Sequence, residues 1–453
     1  MRAAVYTLGC KLNQCESEAL ASSFDSRGFF IGPASEDADI YIINTCTVTT
    51  KAEQKARRMI RKLSGEHPES AVLVTGCYAQ LDSADLKLAD NVIVVPHDYK
   101  DDINRLPSHL EEQGISPGID FAPRIRAFFE GDTGTAPDPD RFWYDSVDFN
   151  YHTRAFLKVQ DGCNNSCAYC RVTIARGDSV SLGVDDVMKQ FTALQQKGYR
   201  EVVLTGVNLT SYNSGGIDFT ALLDELTAEA SRSVKAGNPS VRIRLSSLEP
   251  ETIDERMARA VESPFVCPHF HIPVQSGSDR ILNLMRRHND RSRIISAVER
   301  LREAKYDPYI AADVIAGFPG ETDEDFEQTR SLLEDCNFTF LHVFPYSSRP
   351  GTAAAAMKNQ VPQRISGERT NILRKLSARN SADYAERWLG REIEVLLEQK
   401  KGQNWLGTSG NYLKTEVCDI LNNNGDDNRE GGLCRAGILS TENGIRCEFL
   451  KWV

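Results

Sequence analysis

The sequence predicts an α/β protein in three parts: an N-terminal parallel α/β domain, a central incomplete (β/α)6 barrel and a small C-terminal β-barrel. Three observations carry this. Strand-length apolar runs alternate with helical stretches over residues 1–100, the alternation resumes from Phe156, and from about Gly390 it gives way to short strands and turns. Strand–helix alternation builds parallel sheets, whereas closely spaced short strands with turn signals build closed all-β units.

In the first part, apolar runs lie at Ala3–Tyr6, Ile40–Ile43 and Ala71–Val74, with helical stretches between them. Residues 101–150 read as a linker, because Asp132–Asp140 is a Pro/Gly/Asp-rich connector. Residues 151–385 hold six strand candidates: Phe156–Val159, Val202–Thr205, Arg242–Ser246, Phe270–Val274, Ala312–Ala316 and Thr339–Phe344. Between them, Val184, Val187, Phe191 and Leu194 form one helical stripe, and Leu222, Leu223 and Leu226 mark another. Thr322 and Asp325 have the spacing of a capping box, opening a helix through Phe326, Thr329, Leu333 and Cys336. Residues 364–389 read as a helical connection. The last domain, 386–453, has strand candidates at Ile393–Leu397, Tyr412–Val417, Gly437–Leu439 and Cys447–Leu450, and a loose turn at Asn422–Asp427.

The chain has 453 residues, of which 41% are hydrophobic and 26% charged, an ordinary globular balance. No apolar run reaches the ~18 residues of a membrane span. The N-terminus has no signal-like apolar stretch, so a cytoplasmic protein without membrane association is expected. The net charge of −11 argues against strong non-specific binding to nucleic acid or anionic lipid. Twelve cysteines in such a chain suggest metal or redox chemistry rather than a disulfide framework.

Six of those cysteines stand out. Cys163, Cys167 and Cys170 form a tight triplet directly after the first barrel strand. Three thiolates from one loop suit an iron–sulfur cluster with one iron left open, at the barrel mouth where such folds carry out chemistry. A zinc site completed by a fourth ligand such as His152 is the alternative, but a second close cysteine pair is absent. Cys10, Cys46 and Cys77 form a loose triplet, each just past the C-terminal end of a predicted parallel strand. Sites gather at that edge, so cysteines distant in sequence can converge there. The plainer reading is that each is a small buried hydrophobe.

The run Cys163-x-x-x-Cys167-x-Tyr169-Cys170 resembles the signature of radical S-adenosylmethionine enzymes. Asp313-Val-Ile-Ala-Gly-Phe-Pro-Gly-Glu321 is similar to that family's fifth-strand motif. Around the loose triplet, Thr7-Leu-Gly-Cys-Lys-Leu-Asn13, Ile43-Asn-Thr-Cys-Thr-Val-Thr49 and Thr75-Gly-Cys-Tyr-Ala-Gln80 resemble the methylthiotransferase branch, and the resemblance runs nearly end to end. Gly9-Cys-Lys-Leu-Asn13 looks like the sub-branch acting on threonylcarbamoyladenosine at tRNA position 37.

The resemblance implies two [4Fe–4S] clusters, one on each triplet, and S-adenosylmethionine on the open iron of the tight one. It implies radical methylthiolation at C2 of the adenine, with no acid–base residue assigned. Tyr169, Gly206, Asn208, Ser247, Glu249, Gln275, Asp313 and Gly317 are the residues expected to surround the cofactor. The implied partners are the anticodon loop of tRNA and a reductant protein such as flavodoxin or ferredoxin. The C-terminal barrel resembles a TRAM domain, an RNA-binding module. Alternatives are the same chemistry on isopentenyladenosine in tRNA or on a ribosomal-protein aspartate and, more remotely, a zinc-stabilised RNA-binding protein without catalysis. The chain departs from the family after the tight triplet. Arg171-Val-Thr-Ile-Ala-Arg-Gly177 stands where apolar residues and a proline commonly precede Ala-Arg-Gly, and Val180 replaces a basic residue.

Lys51, Lys55, Arg58 and Lys62 fall on one face of the helix after Cys46 and are candidates for RNA phosphate contact, against the plainer reading of a solvated face. Arg286, Arg287, Arg291 and Arg293 form a second basic cluster. Residues 390–453 carry 8 Lys/Arg against 10 Asp/Glu, so charge alone does not favour RNA there. The other cysteines, Cys15, Cys267, Cys336, Cys418, Cys434 and Cys447, lack ligand-like grouping and read as structural.

Overall fold

A computed structural model describes residues 1–118, 120–130, 141–144, 153–418, 430–442 and 444–453. The connector Asp132–Asp140, His152 and the turn Asn422–Asp427 lie outside the described residues. The chain divides into two compact units. Unit one comprises Met1–Tyr151, Gln160–Ser166 and Cys170–Leu182; unit two comprises His152–Val159, Cys167–Tyr169 and Gly183–Val453.

Unit one is built on a parallel sheet of β1 (Arg2–Thr7), β2 (Phe30–Gly32), β3 (Ile40–Thr45), β4 (Ala71–Gly76) and β5 (Val92–Val94), in the order β2-β1-β3-β4-β5. The two short strands β2 and β5 were not legible in the sequence, because three residues give no periodicity. Both faces of the sheet are covered, as parallel sheets require. Alternate residues serve each face. Ala3, Ile40, Ile42 and Leu73 pack with Leu20 and Phe24 of α1 (Lys11–Asp25), while Ala4, Tyr41, Ile43 and Val72 pack with Ala56, Ile60 and Leu63 of α2 (Thr50–Glu66).

The stretch read as a linker begins with two helices, after the short α3 (Cys77–Leu81). These are α4 (Lys100–Glu112) and α5 (Phe121–Glu130). Ile103, Leu106 and Leu110 of α4 and Phe121 and Ile125 of α5 belong to the first of these cores. The reading missed α4 because Pro107 lies inside it, and an interior proline is normally a breaker.

In unit two, six parallel strands follow sequence order. β6 (Ala155–Lys158), β7 (Glu201–Thr205) and β8 (Arg242–Leu245) form one sheet; β9 (His269–Gln275), β10 (Tyr309–Ala316) and β11 (Phe340–Pro345) form another. Isolated parallel bridges Ile243↔Val266 and Ser247↔His271 join the two, giving the expected incomplete barrel. The helix Gln363–Arg387 covers β11: Ser377 Oγ accepts from Leu341 N (2.9 Å) and Asn380 Nδ2 donates to Phe338 O (2.9 Å). An edge strand is thereby protected from stray pairing. The Thr322–Asp325 capping box is present, with both reciprocal hydrogen bonds.

The last five strands are β12 (Glu392–Lys401), β13 (Asn404–Ser409), β14 (Lys414–Cys418), β15 (Leu433–Ser440) and β16 (Ile445–Trp452). They close into a barrel in the order β12-β13-β14-β16-β15. Its interior holds Val395, Leu397, Val417, Cys434, Ala436, Ile438 and Cys447. Among the described residues, no helix is long and apolar enough to cross a membrane.

Candidate functional site

The loose triplet follows from the strand order. β1, β3 and β4 are adjacent and parallel, so the residues leaving their C-terminal ends share one edge. Cys10 is the N-cap of α1, Cys46 directly follows β3, and Cys77 opens α3. Two glycines make the approach possible. Gly9 has φ +113°, and a Cβ there would lie 2.7 Å from Cys46 Cβ. Gly76 has φ +97°, and a Cβ there would lie 2.3 Å from Thr45 O. Only glycine satisfies both demands. Asn13 then ties two of the loops, donating from Nδ2 to Leu8 O (2.8 Å) and Thr45 O (3.1 Å).

Burial, reinforced by Cys10 and Cys77 nearby, pushes the Cys46 thiol up to about 12. Thiols so placed ionise when a bound metal supplies the compensating charge. A single tetrahedral zinc ion would draw its thiolates to roughly 4 Å from one another. Among the described residues the group of three ligand-type atoms gathered within 4.8 Å is instead Glu16, His97 and Asp161. Val48 N points at Cys46 Sγ (3.5 Å), and hydrogen bonds to ligand sulfurs are among the levers that tune iron–sulfur clusters.

Beneath this edge lies a buried network that the sequence reading did not single out. It centres on Arg176, the last residue of the short helix α6 (Val172–Arg176), whose side chain is 1% exposed. Nε donates to Cys77 Sγ (3.2 Å), Nη1 to Glu16 Oε1 (2.9 Å) and Asp161 Oδ1 (2.9 Å), and Nη2 to Asn13 Oδ1 (2.8 Å) and Glu16 Oε2 (3.2 Å). The group of three that could have held an ion is thus filled by a guanidinium. Lys100 Nζ also pairs with Glu16 Oε2 at 2.5 Å. Burial, with Arg176 and Lys100 adding to it, lowers the His97 imidazole to about 3, so it is neutral here. The one sequence signal for Arg176 was its place in the Ala-Arg-Gly run.

The tight triplet sits on a loop whose residues are divided between the units. In unit one, Asn165 N points at Cys163 Sγ (3.4 Å) and Val172 N at Cys170 Sγ (3.3 Å). In unit two, Arg287 Nη1 points at Cys167 Sγ (3.6 Å), and Ala168 bonds through N to Met285 O (2.9 Å) and through O to Ala354 N (2.8 Å). Tyr169 packs edge-on to Phe318, with ring centroids 6.4 Å apart.

The other expected cofactor residues lie at or just beyond the C-terminal ends of the barrel strands, except Asp313, which sits inside β10. Ser247 Oγ and His271 Nδ1 are 2.7 Å apart, and His271 Nε2 lies 3.0 Å from Asp313 Oδ1. His342 packs edge-on against His271 at 5.3 Å. The sequence assigns neither histidine a role, because both lie inside strands, β9 and β11, where local pattern marks only the strand. Glu249 is engaged by Arg287, which bonds both its oxygens. Burial raises the Glu249 carboxyl, and Arg287 opposes this. Gly206 and Asn208 follow β7, where Asn208 Oδ1 accepts from Thr210 Oγ1 (2.7 Å). Gln275, with φ +63°, ends β9, and Gly317, with φ +78°, follows β10 and donates through N to Glu321 Oε2 (2.5 Å).

Lys51, Lys55, Arg58 and Lys62 are all exposed along α2, as the helical spacing requires. In the second basic cluster Arg286 and Arg293 are exposed, but the other two arginines are engaged. Arg287 turns inward to Glu249, and Arg291 is held by Asp335 (3.0 Å) and Gln328 O (2.7 Å). Five of the six remaining cysteines are buried, Cys418 being intermediate, and Cys15 Sγ meets Tyr144 OH at 3.2 Å.

Residues 157–333 match the Radical SAM superfamily, and residues 2–95 match Uncharacterized protein family UPF0004. The threonylcarbamoyladenosine tRNA methylthiotransferase MtaB of Treponema pallidum is 40% identical over 467 residues, covering 92% of this chain and 94% of the relative. The protein of the same name from Bacillus subtilis is 34% identical, covering 91% and 89%. Among solved structures, the radical S-adenosylmethionine methyltransferase TsrM of Kitasatospora setae superposes with a TM-score of 0.55 at 13% identity. The match covers 78% of this chain and 73% of that one. At that identity the match speaks for the fold alone.

Proposed function

This chain belongs to the radical S-adenosylmethionine methylthiotransferase family, and from that premise we propose that it methylthiolates C2 of threonylcarbamoyladenosine at position 37 of tRNA. The observation that carries the site assignment is the convergence of Cys10, Cys46 and Cys77 at the ends of three adjacent parallel strands, in a chain that also carries the Cys163, Cys167, Cys170 signature. When bound, two [4Fe–4S] clusters and S-adenosylmethionine supply the radical, the methyl group and the sulfur.

The protein's own part is to hold and shield. Cys163, Cys167 and Cys170 hold the radical-generating cluster, and Cys10, Cys46 and Cys77 hold the sulfur-donating one. Val48, Asn165 and Val172 offer backbone N–H groups to the cysteine sulfurs. Tyr169 orients the cofactor's adenine from its place against Phe318. Ser247, His271 and Asp313 form a polar row inside the barrel for the substrate or cofactor to contact, with Gly206, Asn208, Glu249, Gln275 and Gly317 around it. The exposed Lys51–Lys62 face of α2 contacts the RNA backbone, and the C-terminal barrel serves as a TRAM-like module. A flavodoxin- or ferredoxin-type protein delivers electrons, in the cytoplasm.

Nucleoside mass spectrometry of tRNA from a deletion strain tests the substrate. Loss of the 2-methylthio group from threonylcarbamoyladenosine is the expected result, and loss from isopentenyladenosine alone reassigns the substrate. Anaerobic analysis of the purified protein tests the sites: roughly eight irons per chain with matching sulfide is expected, whereas zinc without sulfide ends the radical reading.

A further inference from the structure

We propose that Arg176 is a positioning residue of the sulfur-donating site, set there to donate a hydrogen bond to the sulfur of Cys77 and so to raise that cluster's reduction potential. The inference rests on the assignment of the loose triplet to a cluster.

Its basis is the accounting of one side chain. A guanidinium has five N–H groups in a rigid fork, and all five of Arg176's have acceptors within unit one. Four point at Glu16, Asp161 and Asn13. The fifth, on Nε, points at Cys77 Sγ from 3.2 Å. The carboxylates fix the plane of the fork and cancel its charge, so the direction of Nε–H is dictated before any cluster binds. Taking an arginine to 1% exposure is costly in desolvation unless it is fully partnered. Packing alone would be served as well by an apolar side chain. A donor aimed at a ligand sulfur is what tunes a cluster, because it stabilises the more negative, reduced state.

The same helix carries an internal control. Arg171, which precedes α6, donates from Nη1 to Asp82 Oδ2 (3.0 Å) and lies 3.5 Å from Glu53 Oε1. It too is buried and ion-paired in unit one, and its further acceptor is the hydroxyl of Thr47 (3.4 Å) rather than a cysteine sulfur. A purely structural role for α6 would make the two arginines equivalent.

The test uses the full chain with Cys163, Cys167 and Cys170 replaced by alanine, leaving the loose triplet as the one cluster site. After anaerobic reconstitution, iron content and the midpoint potential are measured by redox titration followed by electron paramagnetic resonance. In this background Arg176→Lys is expected to keep the cluster and shift its midpoint to more negative values, while Arg171→Lys keeps the parent's midpoint. Equal midpoints in all three chains, or equal shifts in both variants, overturn the proposal. If Arg176→Lys takes up no iron, the parent chain labelled with 15N-arginine decides. Hyperfine coupling of an arginine nitrogen to the reduced cluster supports the proposal, and its absence overturns it. A parent chain that binds no iron sinks the cluster assignment itself, and the proposal with it.

Discussion

Two buried arginine networks, one in each unit, show how differently the same chemistry can be used. In unit two, Glu201 is fully buried and accepts from Arg242 Nε (2.5 Å) and from Arg244 Nε (2.7 Å). The rest of those forks reach carbonyls of the C-terminal barrel: Arg242 to Thr408 O (2.8 Å), Arg244 to Ser409 O and Gly410 O (both 3.0 Å). Every hydrogen-bond acceptor there is a carboxylate or a backbone carbonyl, with the Tyr412 ring (5.1 Å) and the Cys267 thiol also beside Arg244, so that network is a joint. In unit one, the Arg176 network has the same burial and the same bidentate style, but one of its donors ends on a cysteine sulfur. A buried charge network becomes informative about function when one of its partners is a group that structure alone does not require.

The largest expected effect separates the two at once. Cys46→Ala removes a ligand from the unit-one site; iron falls from roughly eight to four per chain and the methylthiolated nucleoside disappears from complemented cells. Retained iron would remove the loose triplet from the mechanism. Next, Glu201→Ala leaves two guanidinium groups buried without their carboxylate, which costs about 3–5 kcal/mol. The urea midpoint should fall accordingly, with iron content in the surviving folded protein unchanged. A change in iron at intact stability would mean that the joint reaches a cluster site.

Acid should sort the units in sequence. His97 has a folded-state value of about 3, below its unfolded value near 6.5. Its contribution is complete above pH ~6.5 and is lost as pH falls towards 3, about 2 kcal/mol by pH 5. Glu201 behaves differently. Burial pushes its carboxyl up, but Arg244 and Arg242 outweigh that and hold it well below the usual carboxylate range. Its contribution is present above the ordinary carboxylate value of ~4.5 and is lost only at lower pH. Hydrogen exchange between pH 6.5 and 5 should therefore loosen β1–β5 before β7–β8, and His97→Gln should remove part of that difference. Simultaneous loosening would contradict it.

The smallest effect concerns the surface. Lys51→Ala with Arg58→Ala should change stability by less than ~0.5 kcal/mol each, since both are exposed. Affinity for tRNA should fall, and the salt dependence should flatten by about one unit of slope per lost phosphate contact. An unaltered slope would return this face to solvent.

Much of this molecule was legible in its sequence. All six barrel strands and the strands before Cys10, Cys46 and Cys77 follow from apolar runs of the right length, and the helices at Val184 and Thr322 from stripe and cap. What stayed hidden has a common cause. β2, β5 and β13 are short or end on polar residues, and α4 carries Pro107, so local pattern and true state disagreed there. Arg287 read as a surface cation because its partner, Glu249, lies 38 residues away.

By itself the sequence singled out the six cysteines proposed as cluster ligands. Spacing within a loop is a local property and marks the tight triplet, whereas the loose one needed position after a strand and the family resemblance together. Only the tertiary structure decided what surrounds those cysteines. Gly9 and Gly76 admit the close approach, and Arg176 reaches Cys77 across 99 residues of chain. A guanidinium's direction is set by all of its partners together, and those partners, Glu16, Asp161 and Asn13, meet only when the chain has folded.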